Sequence, residues 1–355
     1  MTRLELLAAS DPRVESSWRE LEALAHPTYF LTWGWIENWL ACLGPERAPQ
    51  LALITDGDVV AAFFLGRQRK VRHHVLPSRA MFLNSTGIPS FDELCIEHNT
   101  ILCRPGVAPA LTRWLELLPH DWDELFLPAV DRDTVWGLDS SSKYRVHIDR
   151  EVAAPFVDLA RVRSANDYVS LLGSNTRAHI RRAFRAIGAC HLEVAQNVEQ
   201  ALEIYQELVA LHTASWARRQ QPGAFADPWF DHFHRRLIAQ RFAHGEIQLL
   251  ALRAGSTTIG CIYNLVVDGR ALFYQSGLGH FVDPRLKAGY LCHSAAIEHC
   301  AAMGLATYDL LGGDARYKAA LATDTARLAW IRVQRPLLRF SLEHRAKQLR
   351  GVVRN

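Results

Sequence analysis

A chain of 355 residues, 49% of them hydrophobic, carries enough apolar side chains for two domain cores and is long for a single domain. No apolar run reaches the roughly 18 to 20 residues of a membrane helix, and the acids in MTRLELLAASDPRVESSWRE argue against a signal peptide, so a cytoplasmic protein is expected. Seven cysteines, odd in number and without a C-x-x-C pair, exclude a zinc ribbon and a secreted disulfide framework, leaving reduced and mostly buried thiols.

In chain order, the first half predicts a helix over Tyr29 to Leu43 and then a hairpin over Gln50 to Leu65, where Asp56-Gly57-Asp58 separates two apolar runs. A loop-rich stretch from Arg67 to Asp92 follows, then a helix over Val107 to Leu118 and a strand over Trp122 to Pro128. Residues Ala153 to Ala165, with APFVDLA, read as an extended connector. The second half predicts helices over Val198 to Arg218 and Pro228 to Phe242, a hairpin over Ile247 to Val267, and a central strand over Ala271 to Gly277. Helix, hairpin, helix and strand thus recur, which suggests two copies of one α/β unit by element order rather than by identity.

The stretch from Arg270 to Leu321 holds the strongest functional signal. After the strand, Pro284 breaks regular structure and Gly289 leaves room for close backbone approach just before an amphipathic segment, Tyr290 to Met303. Free amides at such a helix start attract anions. A second short strand, Ala306 to Gly313, then closes on Gly312-Gly313 and leads through Asp314, a good N-cap, to Arg316, Tyr317 and Lys318.

The wording GSNTRAHIRRAFRAIG, LHTASWARRQQPGAF and LKAGYLCHSAAIEHCAAMGLATYDLLGGDARYK resembles the GNAT-superfamily acyltransferases of cellulose and exopolysaccharide gene clusters. These are similar in turn to the Fem-type peptidyltransferases, which have two GNAT domains in one chain. The resemblance covers roughly residues 155 to 320, and the first half follows it loosely through YFLTWGWIENWL and its hairpin. It implies an α/β fold of two tandem GNAT-like domains, each a mixed, mainly antiparallel sheet flanked by helices. The expected division is a degenerate N-terminal domain over 1–155, a GNAT acyltransferase domain over 156–326 and a basic helical tail over 327–355.

The same resemblance implies acyl-CoA, in the first instance acetyl-CoA, as co-substrate, with no metal. Family members bind the pyrophosphate at a loop of pattern Q/R-x-x-G-x-G/A opening the central helix. Here Arg285, Lys287, Ala288, Gly289 and Tyr290 occupy that place, with one glycine instead of two, shifted by a residue. Tyr317 stands where the family often has the tyrosine that protonates the departing thiolate, its alternative being an aromatic that packs the helix start. Lys318 matches a lysine that helps stabilise the reacting ester in the Fem-type enzymes; an ion pair with Asp314 four residues earlier is its structural alternative.

Asp309, a carboxylate among apolar neighbours, must be paired or raised in pKa, and is a candidate general base or a structural partner. His280 and His293 are further candidate bases. Arg177 and Arg181 share a helical face and are candidates for an acceptor's phosphate or carboxylate, the alternative being a solvated basic face. His212 and Trp216 share another face and, with Tyr274 on the central strand, are candidate acceptor contacts. His232 and His234, two apart on a predicted helix, point in different directions and do not make a metal site.

The tail from Arg327 holds eight basic residues against the single acid Glu343, and Leu338, Leu342, Ala346, Leu349 and Val353 recur at spacings of three and four. It reads as a basic amphipathic helix that packs on its own domain or rests on an anionic membrane face or on RNA. The function expected is N-acyl transfer from acyl-CoA to an amine of a sugar, peptide or small metabolite, in a polysaccharide-biosynthesis setting. The rivals are an aminoacyl-tRNA-dependent, Fem-like transferase and a non-catalytic GNAT-fold scaffold.

Overall fold

In the computed structural model, which describes residues 2–72, 76–107, 110–134, 143–165, 167–313 and 315–343, the chain forms two compact units. The first comprises 1–151 with 328–355 and the second 152–327, so each boundary falls inside a strand.

The strands of the first unit are β1 (Arg3–Leu7), β2 (Gln50–Asp56), β3 (Asp58–Arg72), β4 (Leu76–Leu83), β5 (Leu102–Cys103), β6 (Glu124–Asp131) and the opening half of β7 (Arg145–Asp158). The order β1-β2-β3-β4-β6 is antiparallel except for the parallel pair β4/β6, and β5 pairs with β3. The Asp56-Gly57-Asp58 turn is a tight hairpin, with Gly57 at φ 82°, a value that glycine adopts without steric cost. The loop-rich expectation for Arg67 to Asp92 is corrected. β3 runs on through the polar stretch after Gly66 and pairs with β4, because ladder hydrogen bonds need no apolar side chains. Helices α1 (Arg13–Ala25), α2 (Trp33–Leu43), α3 (Pro89–Asp92) and α4 (Leu111–Leu117) complete this unit, with Trp18, Trp35, Phe63, Phe64 and Trp122 fully buried.

The second unit continues with α5 (Leu159–Ser164), α6 (Ser174–Ile187), β8 (His191–Val194), α7 (Val198–Ala217), α8 (Pro228–Arg241), β9 (Ile247–Ala254), β10 (Thr257–Val267), β11 (Arg270–Leu278), α9 (Ala288–Ala302), β12 (Thr307–Asp309), α10 (Arg316–Leu321) and the start of β13 (Asp324–Gln334). Its sheet runs from the second half of β7 through β12, β11, β10 and β9 to β8, with β11/β12 the parallel pair. Each unit therefore contains a hairpin, a strand, a helix and a parallel strand in that order, the arrangement that the recurring element order suggested.

Local chemistry accounts for the second unit's elements. Asn197 caps α7 by accepting from Gln200 N at 2.9 Å while Gln200 Oε1 accepts from Gln196 N, a reciprocal pair at the helix start. Asp227 caps α8 in the same way, with Pro228 at the first helical position. One face of the sheet is covered by α7 and α8, the other by α9 with α5 and α6. Helix α9 is buried on most of its surface, not amphipathic as expected, because it lies between the sheet and its neighbouring helices. Fully buried Leu291 and Ile297 contribute about 1.5–3 kcal/mol each.

The expected connector at APFVDLA is the end of β7 and the start of α5. The tail expected to be helical from 327 is also corrected: Leu328, Ala329, Ile331 and Val333 are buried in β13, where two-residue alternation over Ala329, Ile331 and Val333 overrides the helical spacing further on. Within the first unit β13 pairs with β6, Arg332 is 2.6 Å from Asp149, and Arg339 is 2.5 Å from Asp123. Residues 338–343 are helical, while Arg345, Lys347, Arg350 and Arg354 lie outside the described residues. No described helix is long and apolar enough to cross a membrane.

Candidate active site

The second unit contains two adjoining cavities at the open end of β11. β11 pairs with β12 only from Arg270 to Leu272 and then diverges from it, while its other edge stays on β10. Tyr274 is an extra residue in that ladder, between Phe273 opposite Asn264 and Gln275 opposite Tyr263, so the strand bends there. Gln275, Ser276 and Leu278 beyond the bulge line the cavities. Gly277 lets α7 approach, since a Cβ at this position would lie 2.3 Å from the carbonyl oxygen of Leu208.

The larger cavity, about 580 Å³, is lined by Arg218 and Arg219 just past α7, by His280 and Phe281, by Lys287, Ala288, Gly289 and Tyr290 at the start of α9, and by Tyr317. No side chain caps α9, and its first intrahelical bond is from Leu291 N to the carbonyl of Lys287. The preceding amides are thus directed at this space, where a helix start stabilises an anion by about 0.3–2 kcal/mol. The smaller cavity, about 360 Å³, shares Ser215, Arg219, Leu278, Gly289 and Tyr317 with the first and adds His212, Trp216, Ala224, Gln275, Ser276 and His293.

Tyr317 sits at the junction. Its ring stacks on His293 at 5.5 Å, and burial pushes its hydroxyl up to about 12, so it holds its proton at neutral pH. Burial draws His293 down to about 3, with the Lys318 charge adding to the effect, and draws His212 down to about 4, with help from Arg219. Both imidazoles are neutral there. His212 is held edge-on to Phe225 at 4.9 Å, and Gly223 leaves the space that its ring needs.

Of the residues singled out from sequence, Tyr317, Lys287, Ala288, Gly289, Tyr290, His280, His293, His212 and Trp216 meet at these cavities. The others line neither. Arg285 forms an exposed ion pair with Asp283 at 2.7 Å. Arg181 pairs with Asp167 at 3.1 Å and Arg177 donates to the carbonyl of Ser170, both on α6. The Tyr274 hydroxyl is 3.2 Å from Nε2 of His234. Asp314 lies outside the described residues.

Asp309 and Lys318 meet at one turn. Asp309 pairs with Arg270 at 3.0 Å and accepts from Leu311 N at 2.8 Å, while Lys318 Nζ donates to the carbonyls of Gly312 at 2.7 Å and Leu311 at 3.3 Å. Leu311 has φ 58°, which costs a branched, bulky residue about 1–3 kcal/mol unless its surroundings hold it. The two charged side chains hold this turn, and so set where α10 and Tyr317 begin.

Arg218, Arg219 and Ser215 were missed from sequence. The signal was present, since His212, Ser215, Trp216 and Arg219 follow a three-and-four spacing over the end of α7 and just past it. His232 is exposed and His234 buried, and no group of metal-ligating side chains occurs among the described residues.

Residues 174–319 match the family profile described as the acetyltransferase (GNAT) domain. No curated protein sequence matches the chain significantly. Among solved structures, FemX is similar with a TM-score of 0.57 at 11% identity, over 89% of this chain and 95% of that one. A conserved protein of unknown function from Bacteroides thetaiotaomicron VPI-5482 gives 0.57 at 11% identity, over 93% and 99%. L-PGS from Bacillus licheniformis gives 0.53 at 10% identity, over 94% of each chain. At these identities the likeness is one of fold. The cavities described above lie within the matched segment, so the second unit carries an acetyltransferase (GNAT) domain over 174–319, and the fold over most of the chain is like that of FemX.

Proposed function

We propose that the second unit transfers an acyl group, acetyl in the first instance, from acyl-CoA to an amine of a sugar, peptide or small metabolite by direct attack. The observation that carries this reading is the 580 Å³ cavity, which joins an uncapped helix start and three cations, Arg218, Arg219 and Lys287, to a protonated tyrosine. The diphosphate of the donor lies against the amides of Ala288, Gly289 and Tyr290, and the thioester along the edge of β11 that diverges from β12. The acceptor enters the smaller cavity, beside His212 and Trp216. The amine nitrogen bonds to the thioester carbon, the carbon–sulfur bond breaks, Tyr317 gives its proton to the thiolate, and the proton that leaves the nitrogen restores Tyr317. Lys318 and Asp309 act by holding the Leu311 turn under Tyr317.

Calorimetry with acetyl-CoA, longer acyl-CoAs and free CoA tests the donor. Saturable binding weakened about tenfold by Lys287→Gln or Arg218→Gln is expected, each removing a phosphate contact worth about 1.5 kcal/mol. Absence of saturable binding to any of the three refutes it.

An aminoacyl-tRNA donor, as the Fem-type resemblance implies, is the second reading. The similarity to FemX over most of both chains and the basic face of α6 favour it. Salt-sensitive tRNA binding without acyl-CoA binding would select it, and binding of neither would leave a GNAT-fold scaffold in polysaccharide assembly.

A further inference from the structure

His293 is the end of a buried polar chain whose direction can be assigned. Gln248 on β9 lies between two sulfurs. Its Oε1 accepts from the Cys300 thiol at 3.4 Å, and its Nε2 faces the Met303 thioether, an acceptor, at 3.5 Å. These partners fix which end of the Gln248 amide is oxygen, because a thioether cannot donate. Asn264 Nδ2 then donates to Gln248 Oε1 at 2.7 Å, which turns Asn264 Oδ1 towards Tyr308. The Tyr308 hydroxyl donates to that oxygen at 3.4 Å, so its remaining lone pairs must receive the Nδ1 proton of His293 at 3.3 Å.

The consequence is a histidine with its proton on Nδ1 and a bare Nε2. Asn264, Tyr308 and His293 are all buried, and Phe273 meets the imidazole edge-on at 4.5 Å while Tyr317 stacks on it at 5.5 Å, so the ring has little freedom to turn. Nε2 has no hydrogen-bond partner among the described residues, and the residue lines the smaller cavity beside Tyr317.

We infer that His293 receives the N–H of the attacking amine at its bare Nε2, and that Tyr308, Asn264 and Gln248 are positioning residues that hold it in this tautomer. The inference rests on the acyl-transfer reading above. An accepting nitrogen at this place turns the amine's lone pair away from the imidazole and towards the thioester. As the carbon–nitrogen bond forms, the nitrogen becomes acidic and its proton passes to Nε2. The carbon–sulfur bond breaks and the Tyr317 proton passes to sulfur. An imidazolium then faces a phenolate in the stacked pair, and one proton moving from His293 to Tyr317 restores both groups. An amine and a thioester have become an amide and a thiol, with no proton left over.

The test has a spectroscopic arm that needs no substrate. In protein labelled with 15N-histidine, long-range 1H–15N correlations report which ring nitrogen carries the proton, and loss of the signal in His293→Phe assigns it. The expected result is an Nδ1–H tautomer in the parent and a mixture in Tyr308→Phe. A parent protonated on Nε2 overturns the inference.

The kinetic arm follows CoA release from acetyl-CoA with a panel of amines, glucosamine, glycine and lysine among them. His293→Phe should lower turnover about a hundredfold. Tyr308→Phe should lower it roughly tenfold to a hundredfold, with acetyl-CoA affinity by calorimetry unchanged in both. Unchanged turnover in His293→Phe overturns the role. If the parent itself fails to bind acetyl-CoA, calorimetry shows that the donor reading has failed, and a correct tautomer would then have no amine to meet, which removes the role as well.

Discussion

Replacing Gly277 by alanine places a methyl group 2.3 Å from the carbonyl oxygen of Leu208 and 2.8 Å from its Cα. Real Cβ contacts essentially never fall below 3.0 Å, so β11 and α7 must part by at least about 0.7 Å. Neither partner can turn aside, since both are backbone within regular elements. Over-packing of this kind costs about 1–3 kcal/mol. For a unit of this size that lowers Tm by about 2–12 °C.

The displaced helix carries His212, Ser215 and Trp216 one to two turns beyond Leu208, with Arg219 just past its end, so the wall of the cavities moves with it. Misplacement of reacting groups by about 1 Å can cost a hundredfold in rate, and on that scale a loss on the order of tenfold is expected. Differential scanning calorimetry gives the stability change, and CoA release from acetyl-CoA, measured well below Tm, gives the rate. A variant with the parent's Tm and turnover would refute the argument that this glycine sets the spacing between strand and helix.

Three further outcomes are expected. Gly289→Ala meets only Leu278 Cδ1, at 3.4 Å, and gains helix propensity, so stability should rise by about 0.5–1 kcal/mol while acetyl-CoA affinity falls; equal affinity by calorimetry would move the diphosphate away from this helix start. Tyr317→Phe should lower turnover about a hundredfold with acetyl-CoA affinity preserved, and an unaltered rate would remove the tyrosine as proton donor. Burial holds His234 and His293 at about 3 and His212 at about 4, all below the ordinary 6.5, so the unfolded chain binds more protons between those values and stability falls as pH drops through that window. Thermal scans at pH 7, 5.5 and 4.5 should show a falling Tm, and a constant Tm would contradict neutral burial of these rings.

The sequence made the second unit legible where apolar runs are short and punctuated, as at Gly277, Pro284 and Gly289. It was least legible where polar residues form strands. The stretch from Arg67 to Arg72 reads as loop because its ladder bonds are made by backbone, and β13 reads as the start of a helix because the leucines further along repeat at helical spacing. For the site, spacing placed His212 and Trp216 on one face but could not show that Ser215 and Arg219 complete it, since the sheet that selects the face comes later in the chain. Arg285 was attractive as a phosphate ligand by position alone. Asp283 two residues before it occupies its guanidinium instead. Asp309 and Lys318 were recognisable as unusual, but their shared attachment to the Leu311 turn follows from a left-handed backbone that nothing in the local sequence announces.

The divergence of β11 from β12 has a consequence for how the protein can be assayed. From Gln275 to Leu278, residues that line the cavities, β11 has no ladder partner on the edge that leaves β12 among the described residues, so an entering molecule meets a strand edge there. A molecule that completes this ladder is bound by the folded chain alone, and its binding shows as resistance to unfolding, about 2.7 kcal/mol at a hundredfold excess over Kd. A melting experiment against a library of thioesters can therefore rank donors by acyl length before any acceptor is known, using the incomplete strand itself as the sensor.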